Sequence, residues 1–279
     1  MGTGIDPQKP ILDHVVFNVR FEMDRAASLF ETVGFQLTDR GYHTLGSINH
    51  LMMLTTDYLE LIGLPSPDSK PTRADIAAAP YGLNGLVFKS ADVHETYEHL
   101  KSIGMAGDPP KSFSRPVRLD DGEVDASFRT VTVRSDVFSA GRVYFCEHLT
   151  PEYVWRPEWQ THANSASALR GFVLGAEDPV REAERFSTLL GLELVESDDA
   201  IAIDLNGSEL QFLSPSQLEA RFGSLASIPA DGALAFCALS IKTDSRHFDS
   251  FSADGVQLAK TPKGHVVKVT EFDALMEFV

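Results

Sequence analysis

The chain has 279 residues, of which 43% are hydrophobic, and its 24 basic and 40 acidic side chains give a formal net charge of −16. This composition is typical of a globular protein with room for about two domains. The acidic excess, with no basic block, excludes a nucleic-acid partner, because binding to phosphates needs a positive surface. A membrane partner is also excluded, since no segment reaches the ~18 apolar residues of a membrane-spanning helix. A small molecule is therefore the expected partner, and a homodimer is left open.

The N-terminus and the cysteines indicate where the protein works. The segment MGTGIDPQKP lacks the apolar stretch of a signal peptide, so residues 1–10 are predicted to form a flexible tail. The two cysteines, Cys146 and Cys237, lie far apart within apolar stretches, which excludes a disulfide framework and a zinc-finger spacing. Both observations favour a reducing, cytoplasmic location.

A repeated unit organises the chain. Alternating residues in ILDHVVFNV predict a strand with one face under helices and the other toward a cavity. Apolar residues at helical spacing follow, and Gly34 comes where a glycine commonly ends a helix. Three apolar segments separated by polar turns come next, namely FQLTDRG, INHLMML and DYLELIGL. The unit is therefore predicted to be β-α-β-β-β.

The same order returns three times, starting at GLVFKSADV, LRGFVLGAED and ALAFCALSIKTD. Gly104 and Gly191 repeat the glycine after the helix in the second and third copies, and the fourth copy is the most eroded. These repeats predict an α+β fold of four βαβββ modules in two domains, at residues 11–150 and 169–279. Residues 151–168, rich in Pro, Ser and aromatic residues, are predicted to be the linker.

Two long polar segments interrupt the modules, at residues 65–82 and 107–125. Their proline and charge content predicts loops, which either close over a site or are plain surface excursions.

Four motifs carry a resemblance to a known superfamily: LDHVV at 12–16, GSIN at 46–49, YLEL at 58–61 and HLTPEYVWRPEW at 148–159. With the repeated βαβββ order, they resemble the vicinal oxygen chelate superfamily, and within it the glyoxalase-like proteins of unassigned activity. That superfamily includes glyoxalase I, extradiol dioxygenases, fosfomycin resistance enzymes and bleomycin-binding proteins. The resemblance implies that two modules pair into an incomplete barrel around a cavity. In metal-dependent members, the first and last strands of each module supply ligands.

Carried onto this sequence, the resemblance implies metal ligands at His14 on the first strand and Glu60 on the last strand of module one. In module two the first-strand position falls at Gly85, and the last strand offers Glu147 as a third ligand or as the catalytic base. A register slip there would select Cys146 or His148 instead. Imidazole and carboxylate ligands suit a divalent ion such as Fe, Mn, Ni, Co or Zn.

Further polar residues are candidates for binding substrate, each weighed against an ordinary structural role. Asn49 and His50 lie on a central strand, His148 is a candidate to line the site, and Arg134 is a candidate to receive an anionic group. Surface hydrogen bonds or an exposed ion pair are the alternatives. His162 and Asn164 in the linker either contribute to the site or hold the linker in place.

The second domain departs from the ligand pattern. Its first-strand position falls at Gly171, its last strand offers Leu210 or Gln211, and module four shows no carboxylate partner, so this half is predicted to be metal-free. Nucleophile-elbow, Walker and dinucleotide motifs are absent from the sequence. The leading hypothesis is a metalloprotein with lyase, isomerase or dioxygenase chemistry on a small oxygen-chelating substrate. The alternative is a non-enzymatic small-molecule-binding protein with an empty or degenerate metal site.

Overall fold

The computed structural model describes residues 10–67, 73–119, 122–196, 200–228, 232–244, 247–249, 251–261 and 263–279. The tail predicted for residues 1–10 lies outside the described residues, apart from Pro10. Within the described ranges, no helix is both long and apolar enough to cross a membrane.

The first two modules follow the predicted β-α-β-β-β order. Module one comprises β1 (Leu12–Arg20), α1 (Met23–Thr32), β2 (Gly41–Tyr42), β3 (Ile48–Met53) and β4 (Tyr58–Gly63). After a short helix α2 (Ala74–Ala78), module two comprises β5 (Gly82–Lys89), α3 (Val93–Ser102), β6 (Lys111–Leu119), β7 (Gly122–Thr132) and β8 (Arg142–His148).

These strands form one eight-stranded sheet in the order β2-β3-β4-β1-β5-β8-β7-β6. Strand β1 pairs in parallel with β4 and antiparallel with β5, so the first strands of the two modules meet at the centre. The sheet curls until its edges touch, where the Thr44 amide donates to the Ser114 carbonyl at 3.1 Å. The result is a barrel with an inner face, as the duplicated modules predict.

The side chains of β1 alternate between the two faces of the sheet as the sequence predicts. Val15, Phe17 and Val19 pack into the apolar core outside the barrel, while Val16 packs inside it. His14 shares the inner face and lines the cavity.

The expectation of a loop is wrong for most of the second segment and for the part of the first segment that forms a helix. Residues 107–125 supply all of β6 and the start of β7, and residues 65–82 contain α2. Strand β6 escaped detection because Pro116 and several charges mask its alternation, in which Arg115 and Val117 are the buried positions. Proline is tolerated there because β6 is an edge strand.

The second domain repeats the architecture. Its elements are β9 (Ala166–Gly175), α4 (Pro179–Leu190), β10 (Val195–Glu196), β11 (Ile201–Asp204), β12 (Glu209–Leu213), α5 (Pro215–Phe222), β13 (Ala235–Thr243), β14 (Val256–Thr261), β15 (Gly264–Val269) and β16 (Ala274–Phe278). The sheet order, β10-β11-β12-β9-β13-β16-β15-β14, matches that of the first sheet. The fold class is therefore confirmed as α+β, with βαβββ modules paired within each of the two sheets.

Helix α5 fills the concave side of the second sheet. Leu218 and Phe222 pack in a cluster with strand residues such as Val173 and Ala238. Arg221 reaches inward and forms an ion pair with Glu277, whose side chain is fully buried on β16. The expectation that module four lacks a carboxylate is therefore wrong, because the last strand lies beyond the segment taken as its end.

The outer faces of the two sheets share one apolar core. The rings of Phe138 and Phe186 stack across the interface with centroids 4.1 Å apart. The linker is fastened to the first domain by His162, whose Nδ1 accepts from the Gln36 amide at 2.9 Å and whose Nε2 lies 2.8 Å from the Met53 carbonyl. These contacts support the structural alternative for His162.

A buried aspartate at the domain interface makes stability depend on pH. Burial raises the pKa of Asp57 from 3.8 to about 6, although its Oδ1 accepts from the Leu169 amide at 2.9 Å. The folded state thus binds the proton more tightly than the unfolded state, so the penalty is present above pH 6 and disappears below about pH 4. Asp57→Asn is expected to raise the free energy of unfolding by about 1–3 kcal/mol at pH 8 and to change it little at pH 4.

Urea denaturation of wild type and Asp57→Asn at the two pH values checks this expectation. The exposed Asp39→Asn is the control, expected to change stability by less than about 0.5 kcal/mol at either pH. Equal effects of Asp57→Asn at pH 8 and pH 4 would contradict the assignment.

Candidate active site

A cavity of about 400 Å³ opens inside the first barrel. Its inner wall comes from β1, β3, β4 and β8, and its outer wall from β6, β7 and the start of α2. The lining residues, which combine imidazole, carboxylate, guanidinium and aromatic groups, include His14, His43, Asn49, Tyr58, Glu60, Arg73, Phe113, Arg115, Phe128, Arg142 and Tyr144. The cavity has the size and the mixture of apolar and polar groups of a small-molecule site.

His14 is held in one orientation at the inner wall. Its ring stacks on Tyr58 with centroids 4.4 Å apart, and its Nδ1 donates to Asp13 Oδ2 at 2.7 Å. Because the carboxylate accepts the proton on Nδ1, the lone pair of Nε2 faces the cavity. The Tyr144 hydroxyl, 3.2 Å away, donates to this nitrogen. With Nδ1 held by Asp13, His14 presents Nε2 toward the cavity.

Asp13 is the centre of a buried network that the sequence analysis missed. Its Oδ2 also accepts from His148 Nε2 at 2.9 Å, and the side chain is fully buried. Burial alone would raise the pKa of Asp13, but the charges and hydrogen bonds of His148 and His14 lower it well below 3.8. The carboxylate can reach both rings because a register shift between Leu12 and His14 turns it inward.

Glu60 lies opposite His14 on β4, with Oε2 3.7 Å from His14 Nε2. Its other oxygen accepts a hydrogen bond from Asn49 Nδ2 at 2.7 Å and lies 4.0 Å from His43 Nε2. Burial lowers the pKa of His43 from 6.5 to about 4, so this second imidazole is neutral at pH 7. His14, Glu60 and His43 thus form a row of donors, of which the sequence analysis left His43 without a role.

Glycine at position 41 permits this packing. A Cβ there would stand 2.3 Å from Asn49 Oδ1, closer than real side chains approach, and 3.1 Å from Arg115 Cδ, which is a tight contact. The close backbone approach lets Asn49 turn toward Glu60.

The register of β8 is not the one that the prediction of Glu147 as a third ligand requires. Tyr144 and Cys146 face the cavity, whereas Glu147 points outward. The Glu147 carboxylate accepts from the Val93 amide, at the start of α3, at 3.3 Å and lies 3.7 Å from Arg129 Nη1. The expectation that Glu147 joins His14 and Glu60 as ligand or base is therefore wrong, and its carboxylate instead stabilises a helix N-terminus.

Of the four residues predicted to bind substrate, one lines the cavity and three do not. Asn49 lines the cavity, and His148 lies behind it on Asp13. His50 is outside, with Nδ1 2.7 Å from the Thr38 carbonyl and Nε2 accepting from Arg40 at 3.2 Å. Arg134 is also outside and forms an exposed ion pair with Asp136 at 3.0 Å.

Strand β5 supplies no donor to the centre. Val87 pairs with His14, and Gly85 pairs with Val16, where a Cβ on the glycine would stand 2.7 Å from the Val16 side chain. Position 85, where the resemblance places the first-strand ligand of module two, is therefore packed against Val16 and has no side chain that could bind an ion.

The donors fit a metal ion of the kind the fold implies. An ion about 2.1 Å from each of two donors requires them to be no more than about 4.2 Å apart, and His14 Nε2 and Glu60 Oε2 meet this limit at 3.7 Å. Both atoms face the cavity, so coordination positions would stay open to a substrate.

A second cluster of possible ligands lies beside the first. One ligand atom each of Asp13, Cys146 and His148 falls within 4.8 Å of the others. However, Asp13 Oδ2 is already shared by two imidazoles, and burial together with the charges of Asp13 and Glu60 raises the pKa of the Cys146 thiol well above 9.0. This cluster fits a hydrogen-bonded support for His14 better than an open catalytic centre.

Comparison with known proteins agrees with the fold. A family model described as a glyoxalase-like domain matches residues 12–190, more than half of the chain. The chain belongs to this glyoxalase-like family. The match covers the whole first barrel, the linker and the first strand and helix of the second domain, so the resemblance to the vicinal oxygen chelate superfamily is confirmed. No curated protein matches the chain in sequence.

Solved structures share the architecture at low sequence identity. A hypothetical protein from Staphylococcus aureus is 11% identical, with a TM-score of 0.66 over 97% of this chain and 99% of that one. A mutant 4-hydroxymandelate synthase from Streptomyces coelicolor is 12% identical, with a TM-score of 0.55 over 97% and 92%. A fusion of a xylose isomerase-like TIM barrel with a 4-hydroxyphenylpyruvate dioxygenase is also 12% identical, with a TM-score of 0.55 over 99% and 50%. At these identities the likeness establishes the fold.

Proposed function

We propose that the first barrel holds a divalent metal ion at His14 and Glu60 and acts on a small substrate that offers two adjacent oxygens. The reaction class is a lyase, isomerase or dioxygenase, and the ion is Fe, Mn, Ni, Co or Zn. The observation that carries the proposal is the 3.7 Å separation of His14 Nε2 and Glu60 Oε2 at the wall of an open cavity. We place the protein in the cytoplasm, where its two free, buried thiols stay reduced.

The environment of Glu60 supports a bound cation. The side chain is 5% exposed and, among the residues that the structure describes, accepts a single hydrogen bond, from Asn49. Burial of an ionised carboxylate without a cation costs several kcal/mol, because the lost hydration is not replaced. An ion between Glu60 and His14 would offset that cost.

A bound ion would supply Lewis-acid stabilisation of charge that develops on a substrate oxygen. The residues of the chain set the conditions for that chemistry. Asp13 fixes the tautomer of His14, and the neutral imidazole of His43 lies on the other side of Glu60, with Nε2 4.0 Å from Glu60 Oε1. Burial raises the pKa of Tyr144, so its hydroxyl keeps its proton; with an ion on His14 Nε2, that proton would be free to form a hydrogen bond to a substrate oxygen. The buried aromatic rings of Tyr58 and Phe128 restrict water.

A second candidate function is small-molecule binding without a metal. The observation in its favour is that β5 contributes Val87 and Gly85 near His14, so a single module supplies the His14 and Glu60 donors. In this case Glu60 would take a proton or a cationic ligand group in place of the ion.

Metal content measured by elemental mass spectrometry separates the two functions. The protein is purified without a metal-affinity step, as wild type and as the His14→Ala, Glu60→Ala double variant. We expect about one divalent ion per chain in the wild type and none in the double variant, because both coordinating atoms are gone. Glu147→Ala is the matched control, since it removes a carboxylate from the outer face of the same barrel and should leave the ion in place.

Two results would contradict the proposal. One is the absence of any ion from the wild type after reconstitution with Fe(II), Mn(II), Ni(II), Co(II) and Zn(II), which would favour metal-free binding. The other is retention of the ion in the double variant with its loss in Cys146→Ser, which would move the centre to the neighbouring cluster. With the ion established, vicinal diols, dicarbonyls and hydroxy acids are the substrates to screen.

A further inference from the structure

The charge of the cavity wall contrasts with that of the protein. The chain carries a net charge of −16, yet Arg73, Lys111, Arg115 and Arg142 line the cavity together. Two of these cations have no carboxylate to neutralise them fully, which is uncommon for buried guanidinium groups.

Arg115 on β6 is the clearest case. Its side chain is 3% exposed, and its Nη2 is buried without a hydrogen-bond partner. Within the described ranges, no carboxylate oxygen lies within 4.0 Å of its guanidinium group. Burial without a partner lowers its pKa from 12.5, and the charge of Glu60 only partly opposes this. An unpaired buried cation costs stability, so an anion that completed it would bind favourably.

Arg142 on β8 has the same incomplete pairing. Its Nη1 lies 3.8 Å from Asp75 Oδ2, but Asp75 is already held by both Arg73 Nε and Arg73 Nη2, at 2.9 and 2.6 Å. The Nε and Nη2 atoms of Arg142 are buried and have no hydrogen-bond partner in the described part of the chain. Two donors of one guanidinium fork are thus left for a ligand.

The two guanidinium groups lie beside the candidate metal centre. Arg142 and Tyr144 alternate on the inner face of β8, which places them roughly 7 Å apart along the strand, and Tyr144 contacts His14. A Cβ on Gly41 would stand 3.1 Å from Arg115 Cδ and 2.3 Å from Asn49 Oδ1, so Arg115 and Asn49, the partner of Glu60, approach the same glycine. Arg115 therefore lies on the Glu60 side of the cavity, and Arg142 lies on the Tyr144 side.

We propose that the unpartnered guanidinium groups of Arg115 and Arg142 each form an anion subsite, so that the ligand of this cavity is a small molecule carrying a carboxylate or a phosphate-type group. Guanidinium forks match the paired oxygens of both groups, so the two share one recognition chemistry. As an assignment of substrate class, the inference rests on the proposed function. As an assignment of an anion site, it stands on the arginines alone.

Titration calorimetry on chelator-treated, metal-free protein tests the subsite. The probes are benzoate, methylphosphonate and inorganic phosphate, with benzamide as the uncharged counterpart of benzoate. We expect saturable binding of at least one anion, no binding of benzamide, and about 10–100-fold weaker anion binding in Arg115→Met or in Arg142→Gln, whichever removes the guanidinium group that holds the anion. Binding of benzoate alone would identify a carboxylate ligand, and binding of phosphate or methylphosphonate alone a phosphate-type ligand.

Arg134→Gln is the matched control, because it removes an exposed arginine outside the cavity and should leave anion affinity unchanged. Arg115→Met is also expected to keep or raise the melting temperature of the metal-free protein, since it removes an unpaired buried charge. The proposal would be overturned if the wild type bound no anion, or if both cavity variants bound the anion as tightly as the wild type does. These titrations use no metal, and the arginine variants should retain the metal content of the wild type. A negative titration would therefore reject the anion subsite without bearing on the metal centre.

Discussion

Replacement of Arg221 by alanine is expected to lower the free energy of unfolding by about 3–5 kcal/mol. Glu277 is fully buried, and Arg221 is its cationic partner. Arg221 also donates to Gln211 and to Ser240 Oγ, the latter at 3.1 Å, so the substitution breaks several bonds together. The dominant loss comes from an uncompensated carboxylate in an apolar interior, a much larger effect than loss of a surface ion pair.

Urea denaturation followed by circular dichroism measures this effect, and hydrogen exchange of peptides from β12 and β16 locates it. Arg134→Ala is the control, because its exposed ion pair with Asp136 should be worth less than about 1 kcal/mol. The double variant Arg221→Ala, Glu277→Gln should recover much of the loss, since the buried group is then neutral and still bonds to Ser240 and Thr261. A single variant as stable as the control would show that the ion pair does not hold α5 in the barrel.

Each domain has a buried carboxylate that requires a cation, and the two domains differ in where that cation comes from. Both carry an inward carboxylate on the last strand of a module, Glu60 on β4 and Glu277 on β16. In the second domain the chain supplies the cation itself, from Arg221 on the helix inserted after β12. In the first domain the comparable helix α2 packs Ile76 inside the barrel, and Glu60 faces an open cavity with no Lys or Arg nitrogen within 4.0 Å among the described residues. This contrast supports an external cation at Glu60.

The fold could be predicted because its signals are local and repeated. The alternation in β1 separates His14 from Val15 by face, and a glycine with positive φ follows the helix of each of the first three modules, α1, α3 and α4, at Gly34, Gly104 and Gly191. Four copies of one order then fix the architecture, even though each copy alone is ambiguous.

The site could be predicted only in part, because register is a non-local property. Glu147 and Cys146 are neighbours in sequence, and which of them faces inward depends on the pairing of Cys146 with Thr130 across β7. Asp13 was hidden for a related reason: a shift in the pairing of β1 with β5 allows it and His14 to point to the same side. A single sequence does not record such shifts.

The arginines illustrate a second limit. Arg134 follows a clear alternating strand and attracted attention, whereas Arg115 and Arg142 lie in a proline-rich segment and at a strand start. What makes Arg115 part of the site is closure of the barrel, which brings β6 against β2 through Thr44 and Ser114. Contacts between strands some 70 residues apart arise from tertiary packing and leave no local pattern.

Substitution of Asp13 by asparagine is expected to weaken binding of the divalent ion about 10–100-fold. The Oδ2 atom of the carboxylate accepts from both His14 and His148, and the amide oxygen of an asparagine carries no negative charge to stabilise the two imidazole N–H groups. His14 would then lose both its fixed tautomer and the negative charge that makes its Nε2 a better donor. A competition titration against a fluorescent chelator measures the dissociation constant directly.

Asp57→Asn is the matched control for this experiment, because it neutralises another buried aspartate whose side chain instead bonds to Leu169. The pH dependence provides a second readout. The lowered pKa of Asp13 means that its contribution to stability is present above about pH 4 and is lost as the pH falls further, so the variant should lose less stability on acidification than the wild type. If Asp13→Asn binds the ion as tightly as Asp57→Asn does, then Asp13 does not position His14. In that case the buried network with His148 has only a structural role, and the metal centre must depend on His14 and Glu60 without its support.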